Sequence, residues 1–408
     1  MKSRAGLPAD GLGREKFVTK AVGDLLDVGQ PRLDLSQYCQ EHLAALPRSD
    51  QRRWGELYVR GLLSVPGRKS IRRICEHVVG ADAEQCLQQF INQSTWKWEP
   101  VRASLALYVA GLVRPRAWDI REVVFPKNGT SSVGVARQYA ASAGRVLNCQ
   151  LGLAVFFVGD EGSSPVNWRL LLPACWDNDE SRRRRTRLPD TERHQPRWRY
   201  LLDAVDELVR TWELAPAPLL IDAVGERDVA AQLRGLDERG LRYVVQISAN
   251  ASVSSTVSRP PPGPNGRLPG PNGRLPVAGE LVAHAVRAGE TTADRRLASG
   301  RSSTLARFIT VPLPMGYDAL RQRRGQRHLL ALWPAGSKRP SAIWLTNLAV
   351  TRLPELGDLL TLRSRTTSDL RKLQDDVGLR HFEGRSYIGW HHHVTLASMA
   401  HAFAVTRA

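Results

Sequence analysis

A chain of 408 residues, 42% hydrophobic and 24% charged, is long enough for two or three domains around a sizeable core and has the composition of an ordinary folded protein. It opens without an apolar leader, and its longest apolar run, Leu151–Val158, is far too short to span a bilayer, so a cytoplasmic protein with no membrane partner is expected. The formal charge of +18 favours a polyanionic partner, since each phosphate neutralised by a cation releases counterions.

Residues 1–31 read as a disordered or extended segment. From there to residue 114 the pattern is helical: Leu33–Leu46, Ser49–Leu63, Ser70–Val79, Ala83–Asn92 and Trp98–Leu112 place apolar residues three or four apart, several behind a Ser or Asp that suits an N-cap. Their polar faces carry Arg68, Lys69, Arg72 and Arg73, which marks residues 32–114 as a helical DNA-binding region. Strand patterns begin at Trp118–Phe125. Val146–Gly159 and Val166–Leu172, joined by Asp160-Glu161-Gly162-Ser163-Ser164, read as an antiparallel hairpin. Arg182, Arg183, Arg184, Arg185 and Arg187 form a basic loop suited to phosphate contact. Trp198–Leu214 is a helix, Leu219–Val224 a buried strand, Asp228–Arg239 a helix and Leu241–Ile247 a strand. That order predicts an α/β fold with a mixed sheet of ribonuclease H type, flanked by helices and preceded by the helical region.

Residues 249–306 break the regularity. Gly-Pro-Asn-Gly-Arg-Leu-Pro occurs twice in succession, at 263–269 and 270–276, and the segment reads as a flexible Pro/Gly-rich insert. Strands resume at Phe308–Val311, Leu329–Trp333 and Ile343–Leu345, and Leu356–Val377 and His392–Val405 are helical. The sheet domain is thus expected from 115–248 and 307–408. The five cysteines, Cys39, Cys75, Cys86, Cys149 and Cys175, have no Cys-x-x-Cys spacing and read as small buried hydrophobes in a reducing compartment. Three consecutive histidines, His391–His393, point about 100° apart on a helix and cannot converge on one ion; packing explains them better.

Several short stretches, in order, carry a family likeness: Leu87-Gln88-Gln89-Phe90-Ile91-Asn92-Gln93-Ser94, Trp98-Glu99-Pro100-Val101-Arg102, Phe125-Pro126-Lys127 with Ser132-Val133-Gly134-Val135-Ala136-Arg137-Gln138-Tyr139, Asn148-Cys149-Gln150, and Gly378-Leu379-Arg380-His381-Phe382-Glu383-Gly384-Arg385-Ser386 before Gly389-Trp390-His391-His392-His393. On these the chain resembles DDE-type insertion-sequence transposases over about 330 residues. The resemblance implies double-stranded DNA as partner, a nucleoid-associated location, work as a homodimer on paired ends, and Mg²⁺ or Mn²⁺ held by three carboxylates.

Carried over residue by residue, that triad is incomplete. Asp222, closing Leu219-Leu220-Ile221, matches the second acid and is the expected metal ligand and catalytic residue. The family's Asp-Asp-Thr falls on Arg121-Glu122-Val123, which puts a cation at the first metal position. Glu122 is the nearest carboxylate and the remaining expected ligand, although a one-residue shift turns it to the other strand face. The third acid falls on Thr367 within Arg363-Ser364-Arg365-Thr366-Thr367. Asp369 points elsewhere around the helix, and Glu383 would reach the site only after rearrangement, so pairing with an arginine such as Arg380 or Arg385 suits it better. The expected function is a DNA transposase with impaired chemistry; a non-catalytic DNA-binding descendant and a decayed pseudo-transposase are the alternatives.

Overall fold

In a computed structural model the described residues are 34–226, 229–252, 277–288, 292–299, 302–313, 326–334, 337–349 and 353–405. The expectations for residues 1–31 and for the tandem repeat at 263–276 lie outside them.

Five helices open the described chain: α1 (Leu35–His42), α2 (Ser49–Ser64), α3 (Ile71–Val78), α4 (Glu84–Asn92) and α5 (Trp98–Val113). Local chemistry fixes several ends. At α1 the Asp34 side chain accepts from the Gln37 N–H while the Gln37 side chain accepts from the Asp34 N–H, a reciprocal cap. The Ser70 hydroxyl caps α3 through the Arg73 N–H. The strands are β1 (Ala117–Pro126), β2 (Ala136–Ala140), β3 (Arg145–Val158), β4 (Ser163–Leu171), β5 (Leu219–Asp222), β6 (Tyr243–Ile247), β7 (Thr292–Ser299), β8 (Ser302–Pro312), β9 (His328–Pro334) and β10 (Ala342–Thr346). Between and after them run α6 (Glu180–Thr186), α7 (Arg197–Asp206), α8 (Val229–Glu238), α9 (Ala278–Arg287), α10 (Leu353–Asp375) and α11 (Tyr387–Val405).

One sheet joins all ten described strands, in the order β2-β3-β1-β5-β6-β10-β9-β8-β7, with β4 also paired to β3. Its heart is β4-β3-β1-β5-β6: β3 runs antiparallel to both β1 and β4, while β5 and β6 run parallel to β1. That arrangement is ribonuclease H-like, as the order of elements predicts. Beyond β6 an antiparallel meander, β10-β9-β8-β7, widens the sheet.

Two local expectations are corrected, and one strand was not expected. Arg182–Arg185 lie in helix α6, started by the Asp179 side chain accepting from the Arg182 N–H, and not in a loop. Strand β2 is short and half exposed, so it shows no apolar run. Within the supposed insert 249–306, residues Ala278–Arg287 form α9, and β7 and the start of β8 add to the sheet.

Helix α11 determines how the helical region meets the sheet. Sixteen of its residues are buried, on every side, between β4 and helices α2, α4 and α5. Such a helix has no solvent face and serves as a core element. Trp390 meets Phe125 of β1 and Trp168 of β4 edge to face, and the Tyr38 hydroxyl of α1 donates to Met399 O at 2.9 Å. Residues 34–113 therefore share one hydrophobic core with the sheet.

At the far end of this junction Gly159, after β3, lies against the end of α5, and a Cβ there would stand 1.9 Å from Val113 O. Backbone on both sides leaves no soft side chain to yield. We expect Gly159→Ala to lower stability by at least about 1–3 kcal/mol, the usual cost of overpacking, read as a shifted urea midpoint; an unchanged midpoint would show that α5 and the sheet slide freely. Among the described residues no helix is long and apolar enough to cross a membrane.

Candidate functional site

Strand alternation sorts the acidic residues of β1 and β5 onto two faces. Asp119 and Arg121 share one face. Because Ile120 lies beside Ile221, Asp222 falls on that same face next to Arg121. Helix α10 covers it and brings Arg363, Thr366 and Thr367 down onto the strands.

The position where the family likeness requires a metal-binding aspartate is filled by the Arg121 guanidinium. Its Nη2 donates to Thr367 Oγ1 at 2.5 Å and to Arg363 O at 2.7 Å, and its Nε lies 3.0 Å from Asp119 Oδ2. Arg363 completes the cluster. Its Nε is 3.6 Å from Asp119 Oδ1, its Nη2 is 3.8 Å from Asp222 Oδ2, and its Nη1 donates to Gln246 Oε1 at 3.1 Å. One guanidinium thus bridges the two aspartates, and the other reaches from Asp119 to the threonine that stands for the third acid.

The Asp119 side chain is wholly buried, and its charge is balanced chiefly by the two guanidiniums beside it, neither of which makes an aligned hydrogen bond to it. Burial raises its pKa, opposed by Arg363, then by Arg121, then by the Thr366 hydroxyl. Burial likewise lowers the pKa of Arg121, opposed by Asp119. Asp222 is nearly half exposed and accepts from the Val224 N–H at 3.0 Å, tightening the turn that follows β5.

Glu122, the other expected ligand, faces the opposite side of the sheet. Its Oε1 accepts from the N–H and hydroxyl of Ser142 at 2.9 and 3.0 Å, and its Oε2 lies 3.2 Å from Arg197 Nη1. The same Arg197 nitrogen is 3.3 Å from Glu226 Oε1, whose carboxyl is raised in pKa by burial and then by Glu122 and Asp222. The structure therefore does not bring Glu122 and Asp222 together as a ligand pair. Asp369 accepts from the N–H and hydroxyl of Ser163, and Glu383 pairs with Arg68 rather than Arg380 or Arg385.

Nucleases of the DDE class generally use divalent metals, and the residues here do not fit such a centre. Two carboxylates already face two guanidinium groups, the third position offers a neutral hydroxyl, and an Mg²⁺ or Mn²⁺ ion would meet resident cations instead of a third oxygen anion. Among the described residues, no group of three or more His, Cys, Asp or Glu side chains is placed to hold a metal.

Sequence reasoning missed Asp119. The signal was an opposite-charge pair two residues apart, Asp119 and Arg121, within a strand whose other buried positions are apolar except Glu122. It also missed the role of Arg102 in α5. This wholly buried arginine donates to Thr395 Oγ1 at 2.7 Å and Trp168 O at 3.0 Å, and its Nη2 lies 3.0 Å from His391 Nδ1. Burial pushes its pKa down to about 9. It ties α5, β4 and α11 together.

Of the eight basic residues expected to face DNA, two do not reach solvent. Lys69 is buried, with its ammonium on Val65 O, and Arg183 is buried and donates to Pro189 O at 2.7 Å and Glu192 O at 2.9 Å. Arg68 and Arg72 are exposed but paired with Glu383 and Glu76; Arg184 has Glu180 at 3.9 Å. Arg182 is half-buried, and Arg73 and Arg185 are exposed. The histidines of α11 are packing residues: His392 stacks on Trp96 with ring centres 3.7 Å apart, and its two nitrogens meet Ile91 O and Trp96 O. Cys39, Cys75 and Cys149 are buried as expected, whereas Cys86 and Cys175 are exposed.

A ribonuclease H-like sheet with an aspartate at the end of β5 and an α10 helix laid over β1 defines a transposase-like nuclease domain. A family model described as DDE superfamily endonuclease matches residues 41–304, about two thirds of the chain, and the chain belongs to that family. DNA is the substrate class this membership indicates. No curated protein matches the sequence.

Proposed function

We propose that this chain is a DNA-binding descendant of a DDE transposase that no longer cleaves DNA. The observation that carries the reading is the seating of Arg121 between Asp119 and Thr367, which fills the first and third metal-ligand positions with a guanidinium and a hydroxyl. A two-metal reaction needs anionic oxygens fixed to within about an ångström, and a pair of half-buried arginines supplies the opposite charge. The +18 charge and the family's DNA chemistry support retained binding, with double-stranded DNA at the ends of the parent insertion sequence as ligand, a nucleoid-associated location and a homodimer as the working form. Regulation of related elements by occupying their ends is the role such a protein fills.

The test combines cleavage and binding. Purified protein with supercoiled plasmid and either Mg²⁺ or Mn²⁺ should give no nicking above background, and chelator should leave its melting temperature unchanged. The same protein should bind duplex DNA with an affinity that falls steeply with salt. Metal-dependent nicking that disappears in Asp222→Ala would restore the enzyme reading. Absence of duplex binding at low salt would leave only the decayed form.

A further inference from the structure

A separate cavity, whose lining includes none of the site carboxylates, is lined by arginines. It is an open cleft of about 810 Å³ bordered by Arg137 of β2, Arg182 and Arg185 of α6, and Arg385 of the segment before α11, with Thr130 and Ser131 at its rim. Among the described residues no aspartate or glutamate lines it. Resting on the DNA-binding reading above, we propose that this cleft seats the phosphodiester backbone of duplex DNA, with Arg137, Arg185 and Arg385 as the phosphate contacts.

Three observations carry this. The first is charge without compensation. Arg137, Arg185 and Arg385 are exposed, and among the described residues none of their guanidiniums has a hydrogen-bond or ion-pair partner. Guanidinium groups gathered around one cleft repel each other in the free protein, and an anion relieves that repulsion while releasing counterions. The second is a prebuilt wall. Arg182 lies 4.1 Å above the Trp176 ring and donates to Thr130 O and Val135 O at 3.0 and 3.1 Å, so the α6 side of the cleft is fixed by a cation that is already anchored. Trp176 is itself held, its indole N–H donating to Val135 O at 3.0 Å.

The third is that distant segments are pinned in place to make the cleft. The Val133 N–H donates to Arg385 O at 2.9 Å, and Lys127 Nζ donates to Phe382 O at 2.7 Å, which locks the 382–385 segment onto the loop after β1. Arg137 is held in register by pairing with Asn148 of β3. The cleft thus presents donors from three parts of the chain without needing to close on its ligand. Its openness suits a continuous backbone, and its polar rim of Thr130 and Ser131 suits phosphate oxygens rather than an apolar partner.

Binding of a fluorescently labelled duplex of about 30 base pairs, followed by anisotropy over a range of salt concentrations, tests the assignment. Removing one arginine–phosphate pairing lowers the slope of log affinity against log salt by about one. The triple variant Arg137→Ser, Arg185→Ser, Arg385→Ser should therefore reduce the slope by about three, and the matching triple lysine variant should regain most of it. Arg210→Ser, whose guanidinium pairs with Asp206 outside the cleft lining, should leave the slope unchanged. A wild-type slope in the serine variant overturns the cleft and leaves the DNA-binding reading standing. No duplex binding by the wild type overturns both. A slope change seen with duplex RNA and not with DNA also overturns the assignment.

Discussion

Replacing Arg121 by methionine should lower stability by about 3–5 kcal/mol, the usual cost of removing one partner from a buried ion pair. Asp119 would then stand buried, with only the Arg363 guanidinium, at 3.6 Å, left to balance its charge. Asp119→Leu should also destabilise, because the half-buried Arg121 and Arg363 guanidiniums would face each other with one carboxylate fewer. The informative variant is the double one. Two apolar side chains of similar volume remove both desolvation costs at once, so Asp119→Leu with Arg121→Met should recover most of the deficit. Urea midpoints of the four proteins measure the coupling. Additive effects, or single effects below about 1 kcal/mol, would mean the two charges do not support each other. The coupling energy reports whether Asp119 serves to keep Arg121 in place.

The second large effect is acid unfolding. His42, His392, His393 and His401 all have pKa values pushed by burial from the usual imidazole range down to about 4, and burial pushes His391 well below that range as well. In the unfolded chain each titrates near its ordinary value of about 6.5. Between pH 6.5 and 4 the unfolded chain therefore binds protons that the folded chain refuses. The stability these groups contribute is complete above about pH 6.5 and is lost as the pH falls toward 4. One histidine gives a slope of about 1.4 kcal/mol per pH unit, and four give about 5.5 kcal/mol per pH unit, comparable to the whole stability of an ordinary domain.

Lowering of the Glu207 carboxyl acts in the same direction, and the raised carboxyls of Asp119 and Glu226 act against it. The histidines outnumber them. The melting temperature should accordingly drop steeply below pH 6.5, with unfolding near pH 5 and an uptake of about four protons. A melting temperature that stays flat from pH 7 to pH 5 would contradict the burial of these rings. His391 is the most sensitive of them, since its protonation would set two cations, itself and Arg102, within one hydrogen-bond length.

The sequence by itself determined the secondary structure wherever burial imposes a period. Helices α1 to α5 and strands β1, β3, β5 and β6 were legible because one face or both faces must be apolar. It failed where burial imposes none. Helix α6 is mostly arginine and shows no stripe, β2 is polar and half exposed, and α9 with β7 follows a Pro/Gly-rich tract that masks them. At the site, the family likeness pointed to Asp222 as the expected ligand, to a cation at Arg121 and to a hydroxyl at Thr367.

Only the tertiary structure decided what those residues do together. Strand alternation sends Glu122 to the other face and puts Asp119 beside Arg121, and α10, from more than 200 residues later, lowers Arg363 and Thr367 onto them. The same holds for the arginine cleft, whose cations lie at 137, 185 and 385. A charge is read easily in a sequence, but its partner is set by through-space distance, and neither cluster is local in the chain.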